Sequence, residues 1–397
     1  MNDKAMYSLR QLVMYFLKLG YAGFGGPVAL VGYMHRDLVE KRKWISEEEY
    51  KEGMALAQLS PGPLAAQLGI YLGFVHYGVL GATLVGIAFV LPSFFMVLAI
   101  GIAYKIYGGL PWMQAVFYGV GSCVIGIIVL SAYKLTLKSI SKLDAGSMRK
   151  NWLLWIFYLF AGAFTVITQS EPVTLFIAAG IIYMLIKAPP KFLKGTTASF
   201  VLFLSAPSVI WLEHNDRLWD IGWFFTKAGA FVFGSGLAIV PFLHTGVVSQ
   251  FGWLNEKQFL DAVAVAMITP GPVVITVGFI GYLAAGVTGA CLAALATFLP
   301  CYLLTVIPAP YFKKIAKNTS IKAFVDGITA AVIGALAGAV IVIAINTFTQ
   351  NRSVSIDIPS VLIAVATVVA LLKVKKISEP LLIVMAAGLG LVLKLVM

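Results

Sequence analysis

Two prolines flank a glycine in Ser60-Pro61-Gly62-Pro63, in the middle of an apolar stretch. Proline lacks a backbone N–H and drives the residue before it out of the α region, so no helix runs through such a tetrad. Helix-compatible sequence nevertheless lies on both sides, from Glu49 to Leu59 and from Leu64 to His76. The interruption recurs 209 residues later as Thr269-Pro270-Gly271-Pro272. Broken backbone at membrane depth survives only where protein buries it or a polar cavity solvates it. Two such breaks in matching positions are the sequence pattern of a transporter's binding site.

The surrounding composition places these breaks in a bilayer. The chain is 60% hydrophobic and only 12% charged over 397 residues, more apolar surface than a soluble domain of that length can hide. The net charge of +12 does not call for nucleic acid, because the basic residues sit in short loops between apolar runs, as in cytoplasmic loops. Cys123, Cys291 and Cys301 lie far apart without metal-ligand spacing, so neither a metal site nor a disulfide framework is expected. Met1 to Arg10 has no cleavable signal pattern, and the first apolar run is expected to stay in the protein.

Residues 16–133 resemble residues 225–341 in a fixed register. Lys18 matches Lys227, Phe24-Gly25 matches Phe233-Gly234, His35 matches His244, Trp44 matches Trp253, Glu52 matches Asp261 and Ser60 matches Thr269. After a one-residue slip Pro92 matches Pro300 and Gly119 matches Gly327. The chain is a duplicated unit. Loop 35–51 carries Arg36, Lys41, Arg42, Lys43 and Lys51, whereas its counterpart 244–260 carries only Lys257. The bias reverses at the loop holding Lys313, Lys314, Lys317 and Lys322, which faces Lys105 alone in the first copy. By the positive-inside rule the copies face opposite ways. The expected fold is an all-α polytopic membrane protein with an inverted structural repeat and re-entrant or broken helices.

If loops 35–51 and 134–150 are both cytoplasmic, runs 80–104 and 111–133 cross out and back. Segment 48–77 must then enter and leave by one face, with Ser60–Pro63 at its tip and arms of roughly 18 Å each. Segment 8–34 reads as a first hairpin tipped by Gly23-Phe24-Gly25-Gly26-Pro27. The rival threading has both segments cross fully, which leaves the basic loop outside. Three linker spans are expected near 151–168, 172–187 and 193–212, and two final spans near 357–373 and 378–396. This divides the chain into a first repeat (1–140), a linker (141–215), an inverted second repeat (216–346) and a C-terminal pair (347–397).

Helix ends at the tips offer unpaired N–H groups and partial positive charge, suited to an anion. The candidate binding set is Gly23, Gly25, Gly26, Gln58, Ser60, Gly62 and Gln67 in the first copy, with Gly234, Ser235, Gly236, Thr269 and Gly271 in the second. Lys18 and Lys227 join it, since an ammonium inside an apolar arm costs ~2.5–3.5 kcal/mol unless an anion or water offsets it; the plain alternative is a lysine that snorkels. His35, Glu52, His244 and Asp261 are candidates for proton coupling, against ordinary solvated or structural roles. There is no nucleotide loop and no nucleophile–base set, so the chain reads as no enzyme and needs no cofactor.

Phe16-Leu17-Lys18-Leu19-Gly20, Gly23-Phe24-Gly25-Gly26-Pro27, Lys43-Trp44-Ile45-Ser46 and Ala57-Gln58-Leu59-Ser60-Pro61-Gly62-Pro63 with Gln67 resemble the chromate ion transporter family. So do Phe89-Val90-Leu91-Pro92, Thr269-Pro270-Gly271-Pro272 and Ala296-Thr297-Phe298-Leu299-Pro300. The resemblance is to the long form, whose homologous halves are oppositely oriented. It departs at Ser60, where the motif more often has an apolar residue, and at Gly234-Ser235-Gly236, where the first copy reads Gly-Gly-Pro. The resemblance implies a multi-pass cell-membrane protein that exports chromate, driven by membrane potential or proton gradient, with sulfate as an analogous oxyanion. An oxyanion channel of the same architecture, or an integral-membrane enzyme acting on an anionic headgroup, are the alternative readings. The partners expected are the oxyanion and the lipid bilayer, with a homo-oligomer left open.

Overall fold

The fold is given by a computed structural model, which describes residues 7–24, 26–140, 145–170, 172–190, 216–231, 236, 239–312, 318–349, 356–374 and 377–396. Gly25, Gly234, Ser235, the basic cluster at 313–317 and the expected span at 193–212 lie outside the described residues. Among the described residues all regular structure is helical. Four helical segments are long and apolar enough to cross a membrane, Leu64–Tyr107, Pro111–Ser139, Val273–Tyr311 and Thr319–Phe348. The protein is an all-α, multi-pass membrane protein.

The first copy begins with α1 (Leu9–Ala22) and α2 (Gly26–Met34), followed by a π-helical turn at His35–Lys41. Helix α3 (Glu47–Leu59) starts on Ser46, whose side chain accepts from Glu49 N–H while Glu49 returns a bond to Ser46. This reciprocal cap satisfies two of the donors a helix start leaves unpaired. Helix α4 (Leu64–Tyr107) turns back on itself at Gly78, where φ is 58° and ψ −150°. That backbone region is open essentially to glycine alone. The two legs lie so close that a Cβ on Gly73 would stand 2.5 Å from the Gly81 carbonyl oxygen. Helix α5 (Pro111–Ser139) completes the copy, and α6 (Ala145–Lys150), α7 (Trp152–Thr168) and α8 (Val173–Lys187) follow.

The second copy repeats these devices. Helices α9 (Arg217–Phe231) and α10 (Ile239–His244) precede a second π-helical turn at Thr245–Gln250. Helix α11 (Glu256–Ile268) is capped reciprocally by Asn255 and Gln258. Helix α12 (Thr276–Val306) reverses at Gly286, with φ 65° and ψ −155°, and Gly281 presses on the Gly289 carbonyl as Gly73 does on Gly81. Helix α13 (Thr319–Phe348) corresponds to α5, and α14 (Ile358–Lys373) and α15 (Glu379–Val396) end the chain.

Both hairpins of the first copy open at one end of the bundle. Tyr7, just before α1, stacks on Trp44 with ring centroids 4.8 Å apart and bonds His76 at the end of the first leg of α4. His76 in turn lies 3.0 Å from Glu49 at the start of α3. Entry and exit of both arms thus meet at one place. In the second copy Arg217 donates to the Ala284 carbonyl at 3.1 Å, closing the same circuit. The long second legs of α4 and α12 run antiparallel: Thr83 meets Tyr302 at 2.7 Å near one end, while at the other Gly101 packs on Tyr282, just before the α12 corner. Phe312 joins the buried cluster around Tyr7, whereas Asn346 donates to Glu256 at the opposite end, 2.7 Å away. The copies are inverted.

The trailing helices exchange partners between copies. Helices α7 and α8, which follow the first copy, pack on α13 of the second, while α14 and α15 pack on α5 of the first. Glycine makes these contacts close: a Cβ on Gly119 would lie 2.0 Å from the Ala386 carbonyl, and one on Gly334 2.1 Å from that of Tyr158. Small residues that let backbones touch are the usual means of helix association in lipid.

The basic end carries Arg36, Lys41, Arg42 and Lys51 together with Lys134 and Lys322, so it should face the cytoplasm. With the three native cysteines replaced, a cysteine at Lys134 or Lys322 should label with an impermeant maleimide only after permeabilisation. A cysteine at Gly108 or Asn346 should label in intact cells. Labelling of the Lys134 and Asn346 positions from the same side would overturn the inversion.

Candidate functional site

Where the chain breaks, buried backbone donors are left over. In the first copy Leu64, Ala65 and Ala66 are buried at the start of α4, and Pro63 supplies no side-chain cap. Their N–H groups have no partner among the described residues. In the second copy the N–H groups of Val273 and Val274, equally buried, are also unpaired among the described residues. Buried orphan N–H groups are rare in folded proteins and costly. Two sets at matched breaks form donor arrays for negative charge.

Each tip rests on the opposite copy. Gly62 has φ 138°, and a Cβ there would stand 2.9 Å from Cys301 Sγ and 2.8 Å from Gln67 Nε2. Gly271 has φ 95°, and a Cβ there would stand 1.9 Å from Ser93 Oγ. Ser93 follows Pro92 on α4 and Cys301 follows Pro300 on α12, so the two contacts are related by the repeat. Gly271 N–H also donates to the Gly23 carbonyl at 2.9 Å, joining the second tip of one copy to the first break of the other. Gly236 lies among Val273, Val274 and Pro27, closing the same junction. The structure therefore brings together Gly23, Gly236 and Gly271, and separately Ser60, Gly62 and Gln67 with Cys301. Gly26 has φ 73°, and a Cβ there would stand 3.9 Å from Glu379 Oε2; Gln58 is exposed on α3.

Lys18 is not at either tip. It lies on the exposed face of α1 with Met14, Leu17 and Tyr21. Lys227 is half-buried, with Nζ 5.7 Å from the centre of the Trp223 ring one turn earlier.

The matched histidines are clips between elements. His35 Nε2 lies 2.9 Å from Glu47 and His244 Nε2 lies 2.6 Å from Glu256, each tying a π-helical turn to the helix after it. The His35 hydrogen bond, helped by Lys51, holds the exposed Glu47 carboxyl below its ordinary range. The matched carboxylates differ. Glu52 is partly exposed and accepts from Tyr71 at 3.3 Å. Asp261 is 1% exposed, accepts from Tyr104 at 2.7 Å and lines a cavity of about 690 Å³. That cavity opens at the end away from Tyr7, between α5, α11, α13 and α14, and Glu256, Lys257, Asn346 and Asp357 share its wall. Ser93, Cys301, Tyr104 and the two glutamate clips were not singled out in the sequence. The register that pairs Pro92 with Pro300 does point to Ser93 and Cys301, as the residues after each proline.

Adding a Cβ at Gly271 meets both a positive φ and a packed hydroxyl, whereas Gly78 has a positive φ but open space. Gly271→Ala should cost roughly 1–3 kcal/mol of backbone strain with a steric penalty on top. Thermal unfolding in detergent should show a larger loss for Gly271→Ala than for Gly78→Ala, and equal losses would contradict the contact with Ser93.

The profile described as "Chromate transporter" matches residues 10–184 and again 219–391. The two matches run past residues 140 and 346 to take in the trailing helical pairs, each of which packs on the other copy. The chain is 62% identical to the chromate transport protein of Cupriavidus metallidurans over 389 residues, 97% of this chain and 93% of that one. It is 58% identical to the probable chromate transport protein of Synechococcus elongatus, over 97% of this chain and 96% of that one. A chromate transport protein of Pseudomonas aeruginosa is 28% identical over 88% of this chain and 84% of that one. No solved structure matches. The chain belongs to the chromate transporter family.

Proposed function

We propose that the chain is a secondary transporter that exports chromate across the cytoplasmic membrane, through a site at the broken-helix tips between its inverted repeats. Family membership and two relatives above 50% identity whose names specify chromate support the substrate. The observation that carries the mechanism is the pair of buried, uncapped helix starts at Leu64–Ala66 and Val273–Val274. Fixed N–H groups replace the water an oxyanion loses on entry, at no cost of reorganisation. The inversion lets the arms of each copy face one side of the membrane in turn. Sulfate, as a tetrahedral anion of similar size, is the natural competitor.

Asp261 is the better placed of the two matched carboxylates to take up a coupling proton. It is enclosed, has one phenol partner and borders a polar cavity at the outer end. Lys18 and Lys227 fit a role in drawing the anion toward the tips rather than holding it there, since Lys18 is exposed and neither is a tip residue.

In proteoliposomes with an imposed pH gradient, wild-type protein should give saturable chromate flux that the gradient accelerates. Asp261→Asn should keep the flux and lose the acceleration. Flux that rises linearly with chromate, insensitive to the gradient in both proteins, would favour a channel and overturn the coupling role.

Lys18→Gln and Lys227→Gln should raise KM severalfold at low ionic strength, with the gap closing in high salt as screening removes long-range attraction. A KM identical to wild type at low salt would remove the lysines from the anion's path.

A further inference from the structure

The two tips are related by the repeat, yet their polar groups are used differently. At the second tip every matched side chain is satisfied. Thr269 Oγ1 donates to the Ala266 carbonyl at 3.1 Å, Thr276 Oγ1 to that of Val273 at 2.8 Å and Ser93 Oγ to that of Gly20 at 3.2 Å. Gly271 N–H is taken by Gly23. At the first tip the equivalent positions are Ser60, Gln67, Cys301 and Gly62. Ser60 Oγ, Cys301 Sγ and Gly62 N–H have no partner among the described residues. Gln67 is fully buried, its Nε2 donates to the Pro61 carbonyl at 2.7 Å, and its Oε1 is a buried acceptor left with nothing. The amide cannot be turned around, because Oε1 would then face the Pro61 carbonyl oxygen. A buried acceptor left open in this way points to a missing ligand.

The open groups define what that ligand must offer. Leu64, Ala65 and Ala66 N–H, Gly62 N–H, Ser60 O–H and Cys301 S–H are donors, so the ligand must present several acceptor oxygens. Gln67 Oε1 is an acceptor, so the ligand must also bring one donor. Neither a lysine nor an arginine is among the tip residues. Desolvation cost grows with the square of the charge, so a site with only partial positive charge holds a monoanion far more readily than a dianion. We infer that of the two tips the first is where the anion is held, that it binds the singly protonated form of a tetrahedral oxyanion with the ligand's O–H on Gln67 Oε1, and that the second tip, with only its Val273 and Val274 N–H groups open, is the locked counterpart. Resting on the transport reading above, this gives a basis for selectivity. Chromate is a weak-acid anion that is partly protonated near neutral pH, whereas sulfate there is fully deprotonated.

The titratable group at the tip is Cys301, contributed by α12; on the same hairpin Glu52 lies about two turns before Ser60 and is held by Tyr71. The test is chromate binding to purified protein across a pH series, with sulfate as competitor. Wild-type affinity for total chromate should weaken about tenfold per pH unit above the ionisation of hydrogen chromate, as proton linkage requires, and sulfate should compete only in large excess. Gln67→Met, similar in volume but lacking the acceptor, should bind at least tenfold more weakly on the acid side and lose the slope. Thr276→Val at the locked tip should keep both affinity and slope. Affinity independent of pH in wild type, displacement by equimolar sulfate, or a slope that survives in Gln67→Met would each overturn the inference, whether or not any variant folds poorly, because the first two are read on wild type. Absence of chromate flux from wild-type proteoliposomes would instead overturn the transport reading itself.

Discussion

A backbone N–H that cannot reach water must find a partner inside the protein, and the two Pro-Gly-Pro breaks leave such groups without one at the centre of each repeat. Much of the architecture follows from accommodating them. The broken segments double back, and Tyr7, Trp44, Glu49 and His76 meet where they open. The tips must be walled by protein rather than lipid, so each rests on the proline-bearing helix of the opposite copy, Gly62 on Cys301 and Gly271 on Ser93. A duplicated, inverted unit supplies both walls from one design.

Close approach is what makes the arrangement feasible, and glycine supplies it. Gly20 would place a Cβ 2.3 Å from the Phe89 carbonyl and Gly229 one 2.1 Å from that of Thr297. These matched contacts seat the first arm of each copy on the long helix that holds its proline. An interior proline removes one helical hydrogen bond, leaving a carbonyl near the same place and loosening the helix where the arm and the opposite tip both dock. The exchange of trailing helices, α7 and α8 onto α13 and α14 and α15 onto α5, then binds the copies into one body. A rocking motion between rigid halves has to work against that exchange, which points to the hairpin arms as the moving parts.

The sequence made much of this legible, for a physical reason. Residues that break helices have few other uses in apolar sequence, so Pro61-Gly62-Pro63 and its partner marked the tips, and lysine and arginine marked one end of the bundle. Gly78 and Gly286 were not legible as corners, because one glycine in a helical run is common and only backbone torsions show the reversal. The histidines at 35 and 244 read as proton carriers since their carboxylate partners, Glu47 and Glu256, are twelve residues away across a turn. Lys18 and Lys227 read as site residues from their matched positions inside apolar arms. Side-chain direction, which puts Lys18 on the outer face of α1, is invisible to alignment of one copy on the other.

Symmetry predicts two equal sites, and it is the departure from symmetry that says where one anion would sit. Thr269, Thr276 and Ser93 are small hydroxyl residues that bond back to their own or a neighbouring helix, the usual fate of such groups in apolar surroundings. Ser60, Gln67 and Cys301 occupy the same places and do not. Glutamine is too long to fold back onto a carbonyl three residues earlier as threonine does, so it reaches the tip, and a thiol is too weak a donor to compete for a helix carbonyl that a hydroxyl would capture. Three replacements at matched tip positions therefore separate the receptor from the lock, while the lock keeps the halves in register.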